Sequence, residues 1–233
     1  MAILGRMPYL SDRLNATKTG GPHDEGREAR HRAVASQQRQ RLLDATELLM
    51  AERGAFGTTI ERIAKQARVS SVSFYDHFAS REEAFVAAFD RAVTETRAAL
   101  LGAVPAGLVW PEQVRAGLRA LLAAIAAEPE RARMCLVESQ KGGAALLGRY
   151  EAALDLALPK LREGRLLDSA AEDLPETLEE ATVAGVAWLL REQLETSGAD
   201  GVEELLPRLV DVVLDPYLGG GEAARLSLAR GGA

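Results

Sequence analysis

The sequence predicts an all-helical protein, and three observations carry that prediction. Alanine and leucine dominate a chain that is 47% hydrophobic but only 5% aromatic, and runs of Val, Ile and Thr that would favour strands are nearly absent. Apolar residues recur at three- and four-residue spacing through successive segments. Proline and glycine separate those segments along the second half of the chain. With 233 residues the chain has enough length for one large domain or two small ones.

Residues 1–35 carry Gly-Gly-Pro, six Lys/Arg and four acidic residues without a sustained period, and are predicted to be a disordered tail. The basic stretch "REARHR" within them is a solvated leader or a source of phosphate contacts. From Gln37 the pattern turns helical. Leu42, Ala45 and Leu49 share a face, and Gly54 supplies a stop. The next segment, "TTIERIAKQA", opens with Thr58 and Glu61 at capping-box spacing, and Ile60, Ile63, Ala64 and Ala67 form one buried face. After a break at Arg68-Val69-Ser70, Ser70 is placed to cap a short helix over 71–78. Ser80 and Glu83 form a further capping box that starts a long helix ending near Leu101. Two helices joined by so short a turn, the second brief and polar, make a helix-turn-helix over 36–82.

Beyond Gly102 the spacing predicts helices near 111–127, 129–139, 142–163, 175–197 and 202–218, with Asp200 and Glu203 as another cap-like pair. These fall in a helical domain over 83–219, followed by a flexible tail over 220–233.

In the short helix, at 100° per residue, Phe74 and Phe78 fall on one face and should pack beneath the first two helices. Val72, Ser73, Asp76 and His77 spread over the opposite arc, with Tyr75 at its edge and Ser70 and Ser71 at the amino end. In a major groove, Ser73 and His77 can exchange hydrogen bonds with bases or phosphates, Val72 can touch a thymine methyl, and Tyr75 suits a phosphate. Tyr75 and His77 alternatively belong to the edge of the core. Asp76 can accept from a cytosine amino group, pair with His77 or an arginine, or disfavour wrong sites. The net charge of −6 argues against attraction of the whole surface to nucleic acid but leaves room for a local footprint.

The stretch "GAFGTTIERIAKQARVSSVSFYDHFASREEAF" resembles the TetR family of bacterial transcriptional regulators, in its Gly, Thr pair, Ile-Ala, Val-Ser, Tyr-x-His-Phe and the basic residue and Glu that follow. The resemblance is specific over residues 39–90. It implies DNA contacts from Tyr75 and His77, and phosphate contacts from Thr59 and Arg81, each at the start of a helix where free N–H groups help hold an anion. Arg81 stands where the family usually has lysine. Arg39 and Arg41 reach phosphates or form a solvated face.

One helix-turn-helix reads few base pairs, so a homodimer on a palindromic double-stranded operator is expected, its recognition helices roughly 34–36 Å apart. The resemblance implies that the last two helices form the dimer interface. Their stripes are Leu178, Ala181, Thr182, Gly185, Trp188 and Leu189, and Leu206, Leu209, Val210, Val213 and Tyr217. It also implies a small-molecule effector pocket within 105–195. Trp110, Met134, Cys135, Leu146, Tyr150 and Trp188 are its candidate lining, or else plain core, and they suggest a hydrophobic or aromatic ligand.

No cofactor, metal site or catalytic centre is expected. His23, His31 and His77 form no ligand pair, Cys135 has no histidine near it in sequence, and neither GxGxxG nor GxxxxGK[ST] occurs. No apolar run is long enough for a bilayer, and the amino terminus has no secretory h-region, so a cytoplasmic protein without membrane contact is predicted. The leading expectation is an effector-released repressor. An activator, a helical enzyme or ligand carrier that retains a helix-turn-helix, and a protein-interaction module that uses the 71–78 face are the alternatives.

Overall fold

The computed structural model describes residues 22–167 and 174–218, and every regular element among them is helical. Helix α1 spans Pro22–Gly57, α2 Ile60–Ala67, α3 Ser71–Tyr75, α4 Arg81–Ala103 and α5 Trp110–Ala127. Helix α6, Pro129–Arg133, runs into a π-helical turn over Met134–Glu138 and a 3-10 turn over Ser139–Lys141. Helix α7 covers Ala144–Asp155, α8 Leu158–Arg162, α9 Leu178–Thr196 and α10 Leu206–Leu218.

Residues through Gln38 and residues from Arg39 onward form two units. In the first, helix begins at Pro22 rather than near Gln37, although the side chains of 27–37 are exposed. Helix formers such as Ala, Arg, Glu and Gln explain this, since they favour helix without the apolar stripe that periodicity detects. Arg30 and Arg32 donate to the carbonyls of Gly26 and Glu28, one turn back. Residues 1–21, 168–173 and the expected tail over 220–233 lie outside the described residues.

The second unit holds three apolar clusters. The first joins Leu42, Leu49 and Met50 of α1, Ile63 and Ala67 of α2, Phe74 and Phe78, and Phe85, Ala88 and Phe89 of α4. Met134 and Leu146 from the carboxy-terminal half are buried in this same cluster. The second joins Leu122 and Ile125 of α5 to Val137, Leu189, Leu190, Leu194 and Leu209. The third holds Trp110, Val114, Leu161, Val210, Val213, Leu214 and Tyr217. Trp110 donates to the Lys160 carbonyl at 2.7 Å and meets Tyr217 edge-on, 5.0 Å between ring centroids. Gly164 allows this approach, because a Cβ there would lie 2.6 Å from the indole ring.

Polar groups fasten the halves where apolar contact alone would leave charges stranded. Glu47 of α1, 8% exposed, accepts from Arg91 of α4 at 2.9 Å and from Arg131 of α6 at 3.2 Å. Arg91 also holds Asp44 at 2.7 Å, and Arg131 holds Glu95 at 3.0 Å. Arg133 donates to the carbonyls of Ala51 in α1 and Leu194 in α9. Gly54 breaks the α1 geometry at φ 69°, and a Cβ there would come within 2.9 Å of the buried Glu138 carboxylate. In the second half, buried Glu179 accepts from Arg165 at 2.7 and 2.9 Å and from the Tyr217 hydroxyl at 2.9 Å.

Two cap expectations are corrected. Thr59, not Thr58, caps α2, because Thr58 is buried and donates to the Gly54 carbonyl at 2.9 Å. Asp200 caps nothing through its side chain: Gly201, at φ 68°, precedes the 3-10 turn Val202–Leu205, which has no side-chain cap. The glycine backbone makes the turn there, so the acidic side chain is not needed.

Removing Glu47 leaves two largely buried guanidinium groups without their shared carboxylate. Glu47→Ala should therefore cost about 3 kcal/mol in urea unfolding, against less than about 1 kcal/mol for the exposed Asp44→Ala. The Arg165 hydrogen bonds hold the Glu179 carboxyl at about 2, below its ordinary 4.5. A depressed carboxyl stabilises the fold above its unfolded value and loses that contribution as pH falls toward its folded value. Unfolding measured from pH 5 to 2 should show this acid limb, and Glu179→Gln should flatten it.

Candidate nucleic-acid interface

Local sequence positions the candidate face in three steps. The Thr59 hydroxyl accepts from the Arg62 N–H at 3.4 Å and fixes the start of α2. At the other end of α2, Arg68 adopts the left-handed conformation, φ 56° and ψ 45°. Its N–H bonds to the Ala64 and Lys65 carbonyls, and that of Val69 to Ala64. Ser70 then caps α3, its hydroxyl accepting from the Ser73 N–H at 2.9 Å and lying 2.9 Å from the Ser73 hydroxyl. Ser80 accepts from the Glu83 N–H at 3.1 Å, and the Glu83 carboxylate accepts from the Ala79 N–H at 2.6 Å, so α4 starts from a two-way clasp.

The expected division of α3 is observed. Phe74 and Phe78 are 0% and 1% exposed, whereas Val72 and Tyr75 are 76% and 58% exposed. Ser71 and Asp76 are exposed, and Ser73 and His77 are half-buried. The helix itself is shorter than the 71–78 expected: it ends at Tyr75, with Asp76 at its cap. The Phe78 N–H still reaches the Phe74 carbonyl at 3.0 Å, which keeps both rings in the core. A short helix with one apolar edge and an exposed arc of small, hydroxyl and acidic groups can be inserted into a groove and present donors and acceptors there.

The basic residues have more structured surroundings than the sequence suggests. Arg81 at the start of α4 is held by Glu82 at 2.8 Å and by the Thr58 carbonyl at 3.3 Å, and lies over the Phe85 ring. Arg39 lies over the Phe78 ring, 5.1 Å from its centroid, and so is more than part of a solvated face. Arg68 sits in the expected break, but nothing in its chemistry announces a left-handed backbone.

The candidate effector residues do not converge on one place. Met134, Cys135, Leu146 and Tyr150 pack with the cluster beneath α3, and burial pushes the Cys135 thiol up to about 12. Trp110 belongs to a different cluster, and Trp188 is 49% exposed on α9. Of the two stripes expected to face a second copy, Leu209, Val210, Val213 and Tyr217 of α10 are buried within their own chain. On α9, Thr182 and Leu189 are buried while Ala181 and Trp188 are exposed.

Residues 42–88, spanning the end of α1 through the first turns of α4, match the family described as bacterial regulatory proteins, tetR family. No curated protein matches the chain in sequence. Several solved structures share its fold. A putative TetR-family transcriptional regulator from Rhodococcus sp. is 19% identical, with TM-score 0.62 over 76% of this chain and 98% of that one. The transcriptional regulator FadR from Bacillus subtilis, in complex with stearoyl-CoA, is 16% identical, with TM-score 0.61 over 77% and 98%. The fatty acid degradation regulator FadR from Bacillus halodurans is 16% identical, with TM-score 0.60 over 72% and 94%.

The cap predicts a measurable effect. Ser70→Ala removes the acceptor for the Ser73 N–H and should cost about 1 kcal/mol of stability in thermal or urea unfolding, without altering the rest of the helical content by circular dichroism.

Proposed function

We propose that the chain is a TetR-family transcriptional regulator that acts as a homodimeric repressor, released from a palindromic operator by a hydrophobic small molecule. The observation that carries the DNA-binding part is the division of α3: two phenylalanines wholly buried, and an outward arc of Ser71, Val72, Tyr75 and Asp76. A helix needed only for packing has no use for that arc. Ser73, His77 and Val72 serve as base or groove contacts, and Thr59, Ser70, Ser71, Tyr75 and Arg81 as contacts to phosphate or sugar. Asp76, exposed at the end of α3, restricts which bases are accepted.

The release step needs an element that both the ligand and the DNA bias. Glu47 links α1 and α4 of the reading head to Arg131 of α6, and the π-helical turn with Met134 and Cys135 continues directly from α6. A ligand inserted beside this turn would shift Arg131 and thereby the head. The stearoyl-CoA bound by the Bacillus subtilis FadR supports an apolar effector. The exposed Ala181 and Trp188 of α9 suit the seam between two copies.

Duplexes selected from a random pool by the purified chain, at stated salt, should yield a palindrome. Tyr75→Ala with His77→Ala should then lower affinity at least tenfold while sedimentation still reports the wild-type oligomer. Asp76→Ala should broaden the selected sequence rather than abolish binding. Absence of any salt-dependent duplex binding by the wild-type chain would refute the proposal.

A further inference from the structure

Arg68 occupies a position that arginine does not improve. Among the described residues it is the one non-glycine residue with positive φ, a conformation that glycine adopts with least strain and asparagine next. The turn is held by backbone groups alone: the N–H groups of Arg68 and Val69 and the carbonyls of Ala64 and Lys65. The Arg68 side chain contributes nothing to that geometry. It is exposed, and among the described residues its guanidinium has no hydrogen bond or ion pair.

The side chain stands over a groove of about 350 Å³ between α1 and the end of α2. Arg41, also exposed and without a charged partner among the described residues, lines the same groove, together with Gln66, and Leu48 and Ala67 contribute its apolar lining. The groove's one carboxylate, Asp44, is engaged by Arg91 at 2.7 Å. Two free guanidinium groups and an amide thus surround a shallow depression whose acid is already neutralised. Arg68 lies two residues before Ser70, the cap of α3, at the shoulder of the exposed arc. When a recognition helix enters the major groove with its amino-terminal residues at the bases, the helix before it crosses the sugar-phosphate backbone, and Arg68 closes that helix, α2.

We infer that Arg68, with Arg41 beside it, is a clamp for a DNA backbone phosphate that flanks the bases read by α3. The planar guanidinium fork matches two phosphate oxygens at once, and the contact carries no base preference of its own. This inference rests on the DNA-binding reading above and extends it to a residue outside α3 and outside both helix starts.

Stability and affinity should move in opposite directions. Arg68→Gly relieves the left-handed strain, so its melting temperature should rise by about 2–4 °C. Its affinity should fall about tenfold, equally for the selected operator and for an unrelated duplex, and the log–log salt slope should shrink by about 2 per dimer. Arg68→Gln keeps a side chain in the same strained position and should lose the same affinity without the gain in melting temperature. If either variant binds as tightly as wild type with an unchanged slope, the clamp is wrong while the regulator reading stands. Loss confined to the operator would make Arg68 a base reader and also overturn it. A wild-type chain that binds no duplex would overturn the regulator reading, and this inference with it.

Discussion

One carboxylate sets how the amino-terminal helices of the second unit, its head, meet the rest of that unit. Glu47 has its two oxygens committed to different helices, Oε1 to Arg91 of α4 and Oε2 to Arg131 of α6. Burying this anion without compensation would be very unfavourable, and burying either arginine alone would be nearly as bad. Glu47 is the most buried anion of the group, while Asp44 and Glu95 give the arginines further, more exposed partners. That constraint orients α1 against α4 within the head and against α6 outside it. Arg133, two residues along, repeats the fastening with main-chain carbonyls of α1 and α9. Apolar contact is forgiving about register, whereas a shared carboxylate is not.

The same constraint explains why the first cluster extends beyond the head. Met134 and Leu146 complete the core beneath Phe74 and Phe78, and Met134 begins the π-helical turn three residues after Arg131. An extra residue in a helical turn is a common mark of functional sites. Here it lies between the ion cluster and the aromatic floor of α3, so movement in α6 would be felt by charge and by packing at once.

Much of the head was legible from residue order, because its elements are short and each carries a local signal. Ser70 and Ser80 announce their helices by capping, and the Phe74–Phe78 spacing gives the buried edge of α3. What stayed hidden depends on partners far away in sequence. Glu47 looks like any charge on a helix until Arg91 and Arg131 arrive 44 and 84 residues later. Thr58 and Thr59 are chemically alike, and only the Gly54 carbonyl decides which of them is left to cap. The early start of α1 carries no periodic signal, because an exposed helix needs no apolar stripe. The scatter of Trp110, Met134 and Trp188 among separate environments shows that large apolar side chains reveal burial more readily than a shared ligand.

The position of Gly54 against Glu138 bears on how freely the helices before it could be exchanged between chains of this fold. In this chain the left-handed glycine that ends the first long stretch of α1 lies where a Cβ would meet the Glu138 carboxylate, itself near Arg133 and Lys141. A head grafted from another chain would have to bring a glycine at this point and an acid at 47, or the body would have to surrender Glu138 and Arg131. The joint is thus a lock and key within a single polypeptide, and the unit of exchange is the head together with the turn that receives it.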